Sequence, residues 1–209
     1  MEELDETYHS THGALTESIH VYIKMGLEPI KERFADSEIR IFEMGFGTGL
    51  NAYLTAFYAE KWKVKVNYHS VEKYPLDRSL YDGLDYNDKS PLSEVKEQNR
   101  KIWDAPWGEE EEINPWFRMC KVETDFFFFL KKTNYHLLYF DAFGFRAQSE
   151  FWGEVAFRIC HELLAAGGIL VTYAAKGSAR RAMEAVGFEV EKLPGAPGKR
   201  EMLRANKPE

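Results

Sequence analysis

Two periods of apolar residues alternate along the chain. Short runs rich in Ile, Val, Phe and Tyr at 39–44, 64–71, 116–122, 136–140 and 169–173 predict buried strands. Helical patterning separates them at 49–60, 76–84, 93–103, 125–132, 150–166 and 178–186. Gly167-Gly168 and Gly187 stand where a helix C-terminus favours a residue free to take positive φ. Strand and helix in alternation predict an α/β fold whose mostly parallel sheet is covered on both faces. Ahead of it, Ile19, Ile23, Leu27 and Ile30 form one helical stripe, an extra N-terminal helical segment beside the sheet. After Gly187, the stretch 188–192, a Pro/Gly-rich loop through Gly198 and then 200–203 predict two further strands that end the sheet antiparallel.

With 209 residues, 44% of them apolar, the chain has material for one core, so a single domain over 1–209 is expected. It divides into an N-terminal extension (1–37), a central core (38–175) and a C-terminal helix with strands (176–209). A net charge of −7 excludes a uniformly basic nucleic-acid coat, yet residues 176–209 hold eight Lys/Arg against five Asp/Glu, so a local basic surface survives. Glu109 to Glu112 read as a solvated loop. Cys120 and Cys160 lie far apart in apolar segments and predict buried thiols rather than a disulfide or zinc site, and His9 and His12 lack the neighbours a metal needs. The acidic opening cannot start a signal peptide and no apolar run approaches the roughly 20 residues of a membrane span, so a cytoplasmic protein is expected.

The sharpest chemical signal is Glu43-Met44-Gly45-Phe46-Gly47-Thr48-Gly49, a Gly-rich turn between a strand and a helix. Its glycines permit a sharp turn and close backbone approach, and the helix N-terminus presents N–H groups to an anion, so a nucleotide-like ligand is implied. The spacing is G-x-G-x-G with Leu at position 50, which departs from the G-x-G-x-x-G of dinucleotide enzymes. Gly-rich turns also serve close packing alone. Three acids, Glu72, Asp125 and Asp141, follow predicted strands, where α/β sheets place their ligands. Asp125 is equally suited to cap the following helix. A carboxylate at Asp141, after the apolar strand 136–140, is costly unless it is paired or functional. Phe126 to Phe129 suit a core junction better than a base-stacking platform.

E-x-G-x-G-x-G resembles the first motif of the class I S-adenosylmethionine methyltransferases. A narrower resemblance lies in Phe42 to Asn51, in Asp141-Ala142-Phe143 with Trp152 behind it, in His12-Gly13-x-Leu15-x-Glu17-x-x-His20-Val21, and in the ending Thr172-Tyr173 through Gly177, Arg180-Arg181 and Gly187-Phe188 to Gly198-Lys199-Arg200-Glu201-Met202-Leu203. Together these resemble the methyltransferase domain that forms 5-methylaminomethyl-2-thiouridine in tRNA, over about residues 8–205. The chain departs from that pattern at Phe145-Arg146 and Ser149, where the family has proline nearby, which bears on substrate selection.

The resemblance implies a Rossmann-like methyltransferase fold with S-adenosyl-L-methionine as cofactor. It assigns the cofactor to Glu43, Gly45, Phe46, Gly47, Thr48, Gly49, Asn51, Glu72, Lys73, Asp125 and Asp141, with Glu72 at the ribose hydroxyls and Asp125 at the adenine amino group. It assigns the substrate to Phe143, Tyr173, Lys199 and Arg200, and catalysis to Asp141. The implied substrate is the aminomethyl group of the wobble uridine in the tRNA anticodon loop, supplied by a separate enzyme. The implied form is a stand-alone methyltransferase without the flavin domain found in bifunctional relatives, and no metal or membrane is involved. A methyltransferase acting on a small-molecule or protein amine, or a non-catalytic RNA-binding module, would share the Gly-rich turn. For an amine with a reference pKa near 10.4 the proton must leave before the lone pair can attack, so the expected task of Asp141 is to orient the amine rather than merely to be negative.

Overall fold

The computed structural model describes residues 11–78, 96–129, 134–142, 145 and 148–209. Phe143, Arg146, His9, and parts of the helices expected at 76–84, 93–103 and 125–132 lie outside the described residues. Eight strands form one sheet: β1 (Ile39–Met44), β2 (Val66–Glu72), β3 (Glu110–Asn114), β4 (Phe117–Glu123), β5 (Tyr135–Phe140), β6 (Leu164–Thr172), β7 (Glu189–Pro194) and β8 (Glu201–Asn206), in the order β3-β4-β2-β1-β5-β6-β8-β7. β4, β2, β1, β5 and β6 run parallel, β8 returns antiparallel to β6, and β7 pairs antiparallel with β8. The expected antiparallel ending is present.

Period-two alternation sends neighbouring residues of each central strand to opposite faces. Ile39, Ile41, Leu137 and Tyr139 meet the N-terminal helix and the helix Leu50–Trp62. Phe42, Met44, Leu138 and Phe140 meet the helices Glu154–Leu163 and Gly177–Ala185. Apolar residues on both faces of these strands explain why they read as continuous runs.

The N-terminal segment is one helix through residues 11–33, built from Thr11–Ser18, a π-helical stretch Ile19–Leu27 and Glu28–Arg33. The π register buries Tyr22 together with Val21 and Ile23. It can lie this close to β5 and β6 because Gly26 has no side chain: a Cβ there would stand 3.1 Å from Val171.

Four local expectations are corrected. Glu110 to Glu112 are not loop but part of β3, antiparallel to β4; their backbone completes the sheet edge while the three carboxylates stay exposed, so a charge run and a strand coexist. The helix expected at 150–166 is a short 3₁₀ turn at Ser149–Trp152 and a helix ending at Leu163, after which the chain is already β6. Gly167, at φ +70, sits inside that strand beside a register shift against β5, rather than at a helix end. The helix expected at 125–132 is a 3₁₀ turn, Phe126–Phe128, within the described residues; Phe126 is core, but Phe128 is 74% exposed. Cys120 and Cys160 are buried free thiols, as expected. Among the described residues, no helix is long and apolar enough to cross a membrane and no cluster of metal-binding side chains occurs.

Candidate functional site

From β1 the chain proceeds to β2 on one side, while β5 lies on the other. Strand order therefore reverses between β1 and β5, and the crevice at their carboxyl ends is where such sheets take ligands. The Gly-rich turn and Asp141 stand on its two sides.

The turn's shape follows from its glycines. Gly45, Gly47 and Gly49 all have positive φ, at +88°, +50° and +75°. A Cβ on Gly45 would meet the Asp141 carbonyl oxygen at 3.2 Å, so the two strand ends touch only because position 45 has no side chain. Gly49 then starts the helix Leu50–Trp62 without a side-chain cap, so the helix's first N–H groups open toward the turn. Phe46 points the other way, buried against Gly49 and Trp107, so only its backbone faces the crevice.

Glu72 ends β2 and binds the turn: Oε2 accepts from the Gly47 N–H at 3.1 Å and Oε1 from the Tyr74 N–H at 2.9 Å. Asp125, after β4, accepts from the Phe127 N–H at 3.0 Å as the cap of the 3₁₀ turn and pairs with Lys73 at 2.9 Å. Despite some burial, those partners hold its carboxyl below the usual carboxylate range. The capping role weighed for Asp125 is thus present.

Asn51, in the first helical turn, is buried and lies between two carboxyl groups. Its Nδ2 donates to Oδ2 of Asp141 at 2.9 Å, and its Oδ1 is buried without a hydrogen-bond partner. On its other side is Glu43, fully buried in β1, whose Oε2 accepts from the Ser70 hydroxyl at 2.7 Å while Oε1 is unpartnered. Burial pushes Glu43 up to about 8, with Ser70 and Asn51 pulling against it and Asp141 adding to it. Glu43 is thereby an interior group beneath the turn, predominantly neutral at pH 7. Burial also raises Asp141, opposed by Tyr22, Asn51 and Lys199 and reinforced by Glu17. The Tyr22 hydroxyl lies against Asp141 without a partner at hydrogen-bonding geometry.

Of the expected substrate residues, Tyr173 and Lys199 come together on the far side of Asp141. Tyr173, just past β6, donates its hydroxyl to the Ala142 carbonyl at 2.8 Å. Lys199, on the loop between β7 and β8, places Nζ 4.8 Å from the centre of the Tyr173 ring and 2.6 Å from a Glu17 carboxylate oxygen. N-terminal helix, strand end and C-terminal loop thus meet at one point. Arg200 is exposed beside them, whereas Arg180 pairs with Glu184 on its own helix. Tyr22 is not singled out by the sequence: at i+3 from Ile19 it falls on the apolar helical stripe and reads as an ordinary core aromatic, and only the packing of the N-terminal helix on β5 and β6 brings its hydroxyl to Asp141.

The cavity logic suits S-adenosyl-L-methionine. A positive-φ turn in which a Cβ on Gly45 would crowd the Asp141 carbonyl, and a helix N-terminus, offer close backbone approach and donors for a carboxylate.

Comparison with known proteins agrees. A family described as S-adenosyl-L-methionine-dependent methyltransferase matches residues 109–208. The chain is 33% identical, over 96% of its length, to the tRNA 5-methylaminomethyl-2-thiouridine biosynthesis bifunctional protein MnmC of Cupriavidus metallidurans, of which it covers 31%. It is 29% identical to the protein of the same name from Cupriavidus necator, covering 97% of this chain and 32% of that one. The chain therefore spans about a third of the length of the curated relatives it matches. In fold it is similar to MnmC2 from Aquifex aeolicus, with a TM-score of 0.69 at 22% identity, covering 92% of this chain and 62% of that one. It is also similar to an O-methyltransferase from Thermotoga maritima, with a TM-score of 0.50 at 17% identity over 93% and 71% of the two chains.

Proposed function

We propose that the chain is an S-adenosyl-L-methionine-dependent methyltransferase that N-methylates the 5-aminomethyl group of a wobble uridine in tRNA, giving 5-methylaminomethyl-2-thiouridine. The observation that carries this reading is the convergence of Tyr173 and Lys199 beside Asp141, at the end of the crevice away from Glu72.

When bound, S-adenosyl-L-methionine supplies a sulfonium methyl group open to in-line attack by an amine. The chain's contribution is then positioning. Gly45 to Gly49, with the first N–H groups of the following helix, hold the methionyl end; Glu72 takes the ribose hydroxyls, and Asp125 with Lys73 borders the adenine. Asp141 accepts a hydrogen bond from the substrate amine and aims its lone pair, with its Oδ2 held by Asn51. Burial that raises Asp141 also favours the neutral amine, the only form with a lone pair to give. As the N–C bond forms, the same carboxylate stabilises positive charge on nitrogen. Tyr173 forms a wall for the uracil, which must leave the anticodon stack to reach it. Lys199 and Arg200 meet the RNA backbone, positioning it without reading sequence.

The reading is tested by expression in a strain whose tRNA accumulates the unmethylated aminomethyl nucleoside. Its conversion to the methylaminomethyl form, seen by mass spectrometry of digested tRNA, is expected. Unchanged tRNA alongside intact cofactor binding would transfer the assignment to another amine.

A further inference from the structure

Lys121 lies outside every feature described so far. It projects from β4 and is 2% exposed, in a strand that otherwise buries Phe117, Met119 and Cys120. A buried ammonium is costly unless its N–H groups find acceptors. Nζ donates to the carbonyl oxygens of Ile102 at 3.1 Å and Trp103 at 2.9 Å, which belong to the last turn of the helix Lys96–Asp104, where carbonyls lack partners within the helix. The same ammonium stands 5.2 Å from the centre of the Phe46 ring and 4.9 Å from that of Trp107.

Both partners lead to the cofactor turn. Phe46 is the residue on which Gly49 rests, and its ring would touch any Cβ at position 49, at 2.9 Å. Trp103 donates Nε1 to the Thr48 carbonyl at 2.9 Å. A methionine or leucine at position 121 would fill the same volume among Phe46 and Trp107 without the desolvation cost, but would leave the helix carbonyls unmet and the ring faces without a cation.

We infer that Lys121 is a positioning residue for S-adenosyl-L-methionine binding: by fastening the end of the 96–104 helix it sets Trp103 on Thr48, and through the Phe46 ring it fixes the backbone of the Gly45–Gly49 turn. The inference rests on that turn being the cofactor site, though not on the identity of the methyl acceptor. Burial, with a smaller repulsion from Arg78, lowers Lys121 to about 8. Arg78 is itself paired with Asp104. Among the described residues, Arg78 is the charged group that bears on Lys121. The ammonium is thus partly lost just above neutral pH, and two consequences have opposite signs. Cofactor affinity falls as pH rises through 8. Fold stability contributed by this group rises between 8 and the unfolded value near 10.4, because the unfolded chain binds the extra proton there.

Calorimetric titration with S-adenosylhomocysteine tests this. K121M is expected to weaken binding about tenfold, the scale of a lost charge-assisted contact. W103F, which keeps the lysine and removes the bond to Thr48, weakens it several-fold in the same direction and serves if K121M does not fold. Wild-type affinity should fall between pH 7 and 9 by more than that of K121M, in which Glu43 and the ligand's own amine still titrate but position 121 does not. Wild type that binds while both variants bind within twofold of it, or an identical pH response in K121M, overturns the inference and leaves the proposed function standing. A wild type that binds no S-adenosylhomocysteine overturns the cofactor site and the inference together.

Discussion

Asn51 donates from Nδ2 to Oδ2 of Asp141 at 2.9 Å, joining the first turn of the helix after the Gly-rich turn to the end of β5. The Gly-rich turn and the carboxylate proposed to orient the amine are thereby joined by one amide. Substituting Asp141→Ala is expected to lower methyl transfer by about a hundredfold or more, while changing cofactor affinity only a few-fold. Single-turnover kinetics with calorimetry would check this, and equal loss of both would contradict an orienting role.

Asn51→Ala acts through the same carboxylate. The hydrogen bond from Asn51 pulls Asp141 down against burial, so its loss lets Asp141 rise further. The acid limb of the pH–rate profile should move to higher pH, with a loss of roughly tenfold at neutral pH. A profile that falls in height without moving would assign Asn51 to cofactor contact alone.

Glu43 gives a stability prediction. Its folded value of about 8 lies above the unfolded one near 4.5, so its contribution is full below 4.5 and is lost as pH rises through 8. Glu43→Gln removes that proton requirement. Relative to wild type, the variant should gain stability between pH 5 and 8.5, on the order of a few kcal/mol, in denaturant titrations at the two pH values.

Lys199 and Glu17 set an electrostatic prediction for RNA. The pair leaves one cation at the mouth half-neutralised, so RNA phosphate competes with Glu17 for it. Lys199→Ala should weaken tRNA binding and reduce the slope of log affinity against log salt by about one, whereas Glu17→Gln should tighten binding at fixed salt. Filter binding across a salt series measures both, and a slope unchanged in Lys199→Ala would remove this residue from the RNA contact.

The parallel centre of this fold was legible because its strands are apolar on both faces and its Gly-rich turn must follow a strand. Asp141 and Glu72 were legible for the same reason, as acids just past such runs. What escaped depends on contacts remote in sequence. Glu110 to Glu112 form an edge strand only because β4 offers its open side, a pairing that charge composition conceals. β6 begins three residues before Gly167, since neither alanine nor glycine marks a helix end when the next strand awaits it. Tyr22 reaches Asp141 from the N-terminal helix, and Lys121 reaches the turn through helix carbonyls, contacts between segments remote in sequence that leave no local motif.

The most direct test of the central claim is transfer of labelled methyl from S-adenosyl-L-methionine to tRNA isolated from cells lacking this modification, followed by digestion and chromatography of the nucleosides. Label should appear in 5-methylaminomethyl-2-thiouridine and disappear with Asp141→Ala. Unlabelled tRNA under conditions where calorimetry shows the cofactor bound would contradict the tRNA assignment.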